Sequence, residues 1–284
     1  MNKEIATIAK TKAIMDKFKL YPNKGYGQNF IIEPRIVQKI AAESFLDQNT
    51  AVIEIGPGIG ALTEQLALIA NEVLAFEIDR KLIGVLEETL SAYHNITVLN
   101  EDFLECQLVK HFDDLSKRNK AVVVVANLPY YITTPIIFKI IESMIDVKAM
   151  TLMVQKEIAD RFLAKPNTKD YNALSVILQY LYQMEVIMKV SPFVFIPKPA
   201  VDSVVIRLVP QQRKKLQQEK DFFLLVKACF NQRRKTINNN LKGYLNDQTK
   251  VDELLQKADI AKERRAESLS MSDFLKLYEV MYEG

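Results

Sequence analysis

The run Ala121-Val122-Val123-Val124-Val125-Ala126 constrains the fold of this 284-residue chain more than any other feature. Four consecutive valines show no polar alternation, so a strand built from them must be covered on both faces. Such a strand belongs in the middle of a sheet flanked by helices. The run ends in Asn127-Leu128-Pro129-Tyr130. In an open α/β sheet, the C-terminal end of a central strand is where ligands bind. An Asn side-chain carbonyl, the Leu128 backbone carbonyl and a Tyr ring suit an amino group on a flat aromatic ring, such as N6 of adenine. Taken alone, the four residues fit a plain strand-ending turn equally well.

Apolar runs and helical periodicity alternate on either side of this strand. Strands are expected at 51–55, 72–77, 96–99, 121–126 and 149–155, with helices at 34–46, 61–70, 80–91 and 135–143. This βα alternation predicts an α/β fold, a doubly wound Rossmann-like sheet. Helices near 156–164 and 172–183 and strands at 184–190 and 203–209 complete it. A proline-rich loop, Phe193-Val194-Phe195-Ile196-Pro197-Lys198-Pro199, joins the last two strands. From 211 a polar linker, Gln211 to Gln218, leads into purely helical periodicity. The expected organisation is a basic N-terminal extension (1–24) with a helix at 3–18 and a turn at 21–25, a catalytic sheet domain (25–210) and a small helical domain (211–284).

The chain carries a net charge of +3, unevenly spread. Residues 1–24 hold six lysines against two acidic residues, and residues 211–284 hold fifteen basic against eleven acidic, while the middle is net −5. Basic flanks around an acidic centre point to an anionic partner. Two histidines and two distant cysteines offer no metal site, triad or disulfide framework. No apolar stretch is long enough to span a bilayer, and a cytoplasmic location follows from the thiol usage.

Glu54-Ile55-Gly56-Pro57-Gly58-Ile59-Gly60-Ala61 is a strand running through a glycine turn into a helix. Gly56, Gly58 and Gly60 allow close backbone approach to a ligand, and Glu77, ending the next strand, is placed for vicinal ribose hydroxyls. These residues alone leave a nicotinamide dinucleotide and S-adenosylmethionine equally open. Asp102, after the third strand, offers a partner to an adenine amino group. Nothing at Asn127 to Tyr130 resembles a hydride-transfer proton relay, which favours S-adenosylmethionine.

With Gly27-Gln28-Asn29-Phe30, Phe195-x-Pro197-x-Pro199-x-Val201-Asp202-Ser203 and Asn231-Gln232-Arg233-Arg234-Lys235-Thr236 added in order, the chain resembles the adenine-N6 dimethyltransferases of ribosomal RNA. The likeness runs from about residue 21 to about 270 and is strongest to the small-subunit branch. It departs at Tyr26, at Ile31-Ile32-Glu33 and at Ile237-Asn238-Asn239-Asn240. The resemblance implies dimethylation of two adjacent adenosines in a hairpin loop near the 3′ end of 16S ribosomal RNA. It assigns catalysis to Asn127, Leu128, Pro129, Tyr130 and Phe195. Asn29, Ile31, Gly56, Gly58, Gly60, Glu77, Asp102 and Asn127 would bind S-adenosylmethionine. Arg233, Arg234 and Lys235 would hold RNA phosphates. The expected partner is the small-subunit RNA in a 30S-type particle or precursor, met by a monomer. A large-subunit enzyme conferring macrolide resistance and a non-catalytic assembly factor are the alternatives.

Overall fold

The computed structural model describes residues 4–22, 24–213 and 215–283. Asn23 of the expected 21–25 turn, Lys214 of the linker, and Lys3 at the start of the expected N-terminal helix lie outside them. In chain order the elements are α1 (Ile8–Phe18), β1 (Phe30–Ile31), α2 (Pro34–Ala42), β2 (Thr50–Ile55), α3 (Ala61–Ala67), β3 (Glu72–Phe76), α4 (Arg80–Thr89), β4 (Ile96–Leu99), α5 (Leu108–Arg118), β5 (Ala121–Asn127), α6 (Thr133–Ser143) and β6 (Ala149–Gln155). There follow α7 (Lys156–Phe162), α8 (Ala173–Leu181), β7 (Tyr182–Val190), β8 (Phe195–Ile196), β9 (Ser203–Pro210), α9 (Glu219–Cys229), α10 (Ile237–Leu245), α11 (Gln248–Lys257) and α12 (Met271–Tyr278).

Seven strands form one sheet in the order β4-β3-β2-β5-β6-β9-β7. The pairs from β4 to β6 are parallel, and β9 runs antiparallel to β6. Strand order reverses between β2 and β5, the position at which open α/β sheets take ligands. Alternate residues of the valine run face opposite sides. Val123 and Val125 join a core with Val37 and Ile40 of α2, Leu66 of α3 and Leu82 and Val85 of α4. Val122 and Val124 face the other way and are equally buried, as are Ile136, Ile137 and Ile140 of α6. Both faces are therefore covered, as four consecutive valines require.

Two compact units emerge. One comprises the chain up to Lys156 together with Met184–Pro210; the other comprises Glu157–Gln183 and Gln211 onward. This departs from a single boundary at 210. Residues 157–183 read as a further turn of the βα alternation, but their apolar side chains build the helical unit. Tyr180 of α8 packs on Phe222 of α9 with ring centroids 4.8 Å apart, and Tyr171 meets Phe230 edge-on at 5.8 Å. The N-terminal segment is no separate extension either. Ile5, Ala6 and Ile14 are buried in the sheet unit's core, and the Ile5 N–H donates to the Glu64 carboxylate at 3.0 Å.

Helix α2 stops at Ala42, short of the expected Leu46, and Phe45 takes a positive φ of 55°. Helix α5 and the β1–β8 pair were not expected. Gly60 caps α3 at φ 92°, and a Cβ there would lie 3.0 Å from Leu90 Cδ2. Both strain and crowding oppose any side chain. Gly60→Ala is expected to lower stability by about 1–3 kcal/mol, measured by chemical denaturation.

Candidate active site

Four parallel strands end in step. Ile55 pairs with Phe76 on one side and Ala126 on the other, and Phe76 pairs with Leu99. The next residues on these strands, Gly56, Glu77 and Asn127, therefore stand in a row, with Asp102 just beyond β4. They line one cleft with Asn29, Phe30, Ile31, Gly58, Leu128, Pro129, Tyr130 and Tyr131, and its empty space is about 970 Å³, open mouth included.

Each position carries a specific geometry. Gly56 has φ 72°, its N–H donates to the Phe76 carbonyl at 2.9 Å, and a Cβ built on it would meet nothing within 4 Å. A side chain here would project into the space a ligand needs. Glu77 is 5% exposed; its Oε1 accepts from the Asp79 N–H at 2.8 Å and its Oε2 from the Gly58 N–H at 3.2 Å. Burial pushes its carboxyl up to about 7, against the pull of those two N–H groups. One oxygen of Asp102 accepts from the Leu104 N–H at 2.8 Å, leaving Oδ2 without a protein partner among the described residues.

Asn127 donates through Nδ2 to the Asn29 carbonyl at 3.4 Å, which directs Oδ1 elsewhere. The Leu128 N–H is spent on the Met153 carbonyl at 3.1 Å. Neither Asn127 Oδ1 nor the Leu128 carbonyl oxygen accepts a hydrogen bond among the described residues. Tyr130 is tied by its hydroxyl to Ser203 Oγ at 2.7 Å, and burial raises its pKa.

Two expected residues stand elsewhere. Gly60 is outside the cleft lining and serves helix α3, as described above. Phe195 is 3% exposed and is not among the residues that line the cleft. It pairs with Ile31 in the β1–β8 ladder and belongs to the sheet unit's core.

Glu54 was missed as a site residue. It is 1% exposed, it lines the cleft, and its Oε2 has no hydrogen-bond partner. Burial pushes its carboxyl up to about 8, and the charge of Glu77 adds to the rise. The Thr63 hydroxyl lies close enough to oppose this, yet its oxygen also completes no hydrogen bond. An acid inside an otherwise apolar strand, directly before a glycine turn, was the available signal.

In the helical unit, the expected phosphate-binding residues share an exposed turn. The Asn240 side chain holds that turn, donating to the Cys229 carbonyl at 2.6 Å and accepting from the Gln232 N–H at 3.1 Å. Arg233 is engaged locally: it pairs with Glu267 at 3.5 Å and donates to the Lys169 carbonyl. Arg234 and Lys235 have no side-chain partner among the described residues.

The strand order, the glycine turn and the row of acceptors define a Rossmann-like methyltransferase, and its cofactor is S-adenosylmethionine. The donor set fits that group: an open cradle at Gly56, a carboxyl at Glu77, a free oxygen on Asp102 and an orphaned buried oxygen on Glu54. The chain belongs to the ribosomal RNA adenine dimethylase family, which it matches over residues 20–283. It is 46% identical to the Ribosomal RNA small subunit methyltransferase A of Bacillus pumilus (strain SAFR-032), over 99% of this chain and 98% of that protein. Among solved structures, a dimethyladenosine transferase from Plasmodium falciparum is similar at TM-score 0.74 and 27% identity, covering 89% of this chain and 97% of its own. The 23S rRNA methyltransferase ErmE is similar at TM-score 0.64 and 28% identity, covering 89% and 99%.

The raised carboxyls have a consequence for stability. Glu54 and Glu77 stay protonated in the folded chain at pH values where the unfolded chain has lost those protons. The folded state then binds more protons, so stability falls as pH rises from about 4.5 through about 8. Each group contributes a slope approaching ~1.4 kcal/mol per pH unit within its window. Glu54→Gln is expected to flatten this decline, so its Tm advantage over wild type grows between pH 5 and pH 8.5. A pH series of thermal melts reads the difference.

Proposed function

We propose that this enzyme dimethylates N6 of two adjacent adenosines in the 3′-terminal hairpin loop of small-subunit ribosomal RNA, within a 30S-type particle or its precursor. One observation carries the reading. Two carbonyl-type acceptors without partners, Asn127 Oδ1 and the Leu128 oxygen, stand at the end of β5 beside the glycine turn. The full-length similarity to small-subunit enzymes favours this RNA over the large-subunit substrate named for ErmE. The protein acts as a monomer in the cytoplasm; no helix among the described residues is long and apolar enough to cross a membrane.

The chemistry asked of the protein is positioning. When bound, S-adenosylmethionine supplies an activated methyl group, held by Gly56, Gly58, Glu77 and Asp102, with Asn29 and Ile31 along the same wall. Adenine N6 is a weak nucleophile because its lone pair is delocalised into the ring. Asn127 Oδ1 and the Leu128 carbonyl each accept one N6 hydrogen, which favours a pyramidal nitrogen with its lone pair localised. Pro129 fixes the turn between the two acceptors and the Tyr130 ring, on which the base extruded from its stack comes to lie. The Tyr130–Ser203 hydrogen bond holds that ring in place before the base arrives. At the second methylation only one N6 hydrogen remains, so that nitrogen satisfies only one of the two acceptors.

Asn127→Ala is expected to cut methyl transfer to hairpin RNA by about 100-fold or more, with S-adenosylmethionine affinity nearly unchanged by calorimetry. Near-normal turnover would remove Asn127 from this role. In the helical unit, phosphate contact is assigned to Arg234 and Lys235, whose side chains are unengaged. Changing both to Ala should weaken RNA binding and make its salt dependence shallower by about one to two units of slope. An unchanged slope would move the phosphate contact away from this turn.

A further inference from the structure

Phe193 is the most exposed phenylalanine of the chain, at 74%, and the Lys198 ammonium sits 3.6 Å from its ring centroid. A single exposed aromatic needs no explanation by itself. A cation held against one face of it is a different matter. It leaves the other face of this 74%-exposed ring for stacking and sets a positive charge on the occupied face, the combination that binds single-stranded nucleic acid through stacking and phosphate attraction.

The pair is also anchored beside the cleft. The Ser191 hydroxyl accepts from the Phe193 N–H at 3.4 Å and caps the short helical turn Pro192–Val194. The next carbonyl, of Val194, accepts from the Ile32 N–H at 2.9 Å, and β8 then pairs with β1, whose Phe30 and Ile31 line the cleft. The far end of the loop is fixed by Ser203 on Tyr130. The loop's one carboxylate, Asp202, sits at that far end, where its backbone carbonyl accepts from the Lys156 N–H at 3.0 Å.

We infer that Phe193 and Lys198 form an RNA-docking platform beside the active site, with an unstacked base flanking the target adenosine on the free face of Phe193 and its phosphate on Lys198. This rests on the RNA-methylating reading above and adds a second base contact to it. The platform fixes which nucleotide enters the cleft, so it acts on RNA binding more than on the methyl-transfer step.

The test uses the full-length protein with a 30S-type particle whose small-subunit RNA carries 2-aminopurine beside the target adenosines. Phe193→Ala is expected to raise the RNA Kd and KM about tenfold, with kcat and S-adenosylmethionine affinity retained. The 2-aminopurine quenching seen with wild type should be lost. Phe193→Tyr should restore both, and Lys198→Ala should make the salt dependence shallower. If wild type binds and methylates this RNA while Phe193→Ala matches it in Kd and quenching, the platform is overturned and the proposed function stands. If wild type does not bind the RNA at all, both fall. Because Phe193 is exposed, the Ala variant does not put folding at risk.

Discussion

The parallel pairing of β2 with β5 is the constraint on which the rest depends. Its register sets Ile55 against Ala126, so the glycine turn and the Asn-Leu-Pro-Tyr turn leave the sheet side by side. One connects to α3 and the other to α6, and the chain diverges between them. The cleft is the gap left by that divergence. A slip of one residue between these strands would turn every valine of β5 to the opposite face and move Asn127 out of line with Gly56.

The cleft departs from the economy of the core behind it. Where β2 and β3 approach the cleft, two carboxyls, Glu54 and Glu77, are buried at an energetic cost. Glu77 recovers part of that cost through the N–H groups of Gly58 and Asp79. Glu54 recovers less, since Oε2 finds no partner. The protein folds with the polar groups of the site held in place and incompletely satisfied, so a ligand that meets them gains what the free protein lacks.

Much of this was legible from residue order. Strands β4 and β6 fall where the apolar runs place them, and Gly56, Glu77, Asp102 and Asn127 share the cleft because each follows a readable strand. What was not legible depends on partners distant in sequence. Helix α5 buries only Leu108 and Leu115 among polar residues, too sparse a stripe to register. Strands β1 and β8 have two residues each and carry no periodicity. The burial of Phe195 follows from that unforeseen pairing. The spacing of Phe195 to Val201-Asp202-Ser203 said which aromatic fitted the motif and nothing about its exposure. Arg233 likewise looked like one of three equal cations until Glu267 and Lys169 engaged it. Glu54 is visible in the glycine motif, but its place in a strand interior marks it by pattern as core.

The direction of β9 reaches further. It runs against β6, so it begins at the end of the sheet where β6 finishes, with Ser203 opposite Gln155. The segment leading into it is thereby delivered to the rim of the cleft, while the loops that grip the cofactor belong to other strands. A change in that segment therefore reaches the wall of the cleft as well as its mouth, because Phe195 and Ile196 pair with Ile31 and Phe30.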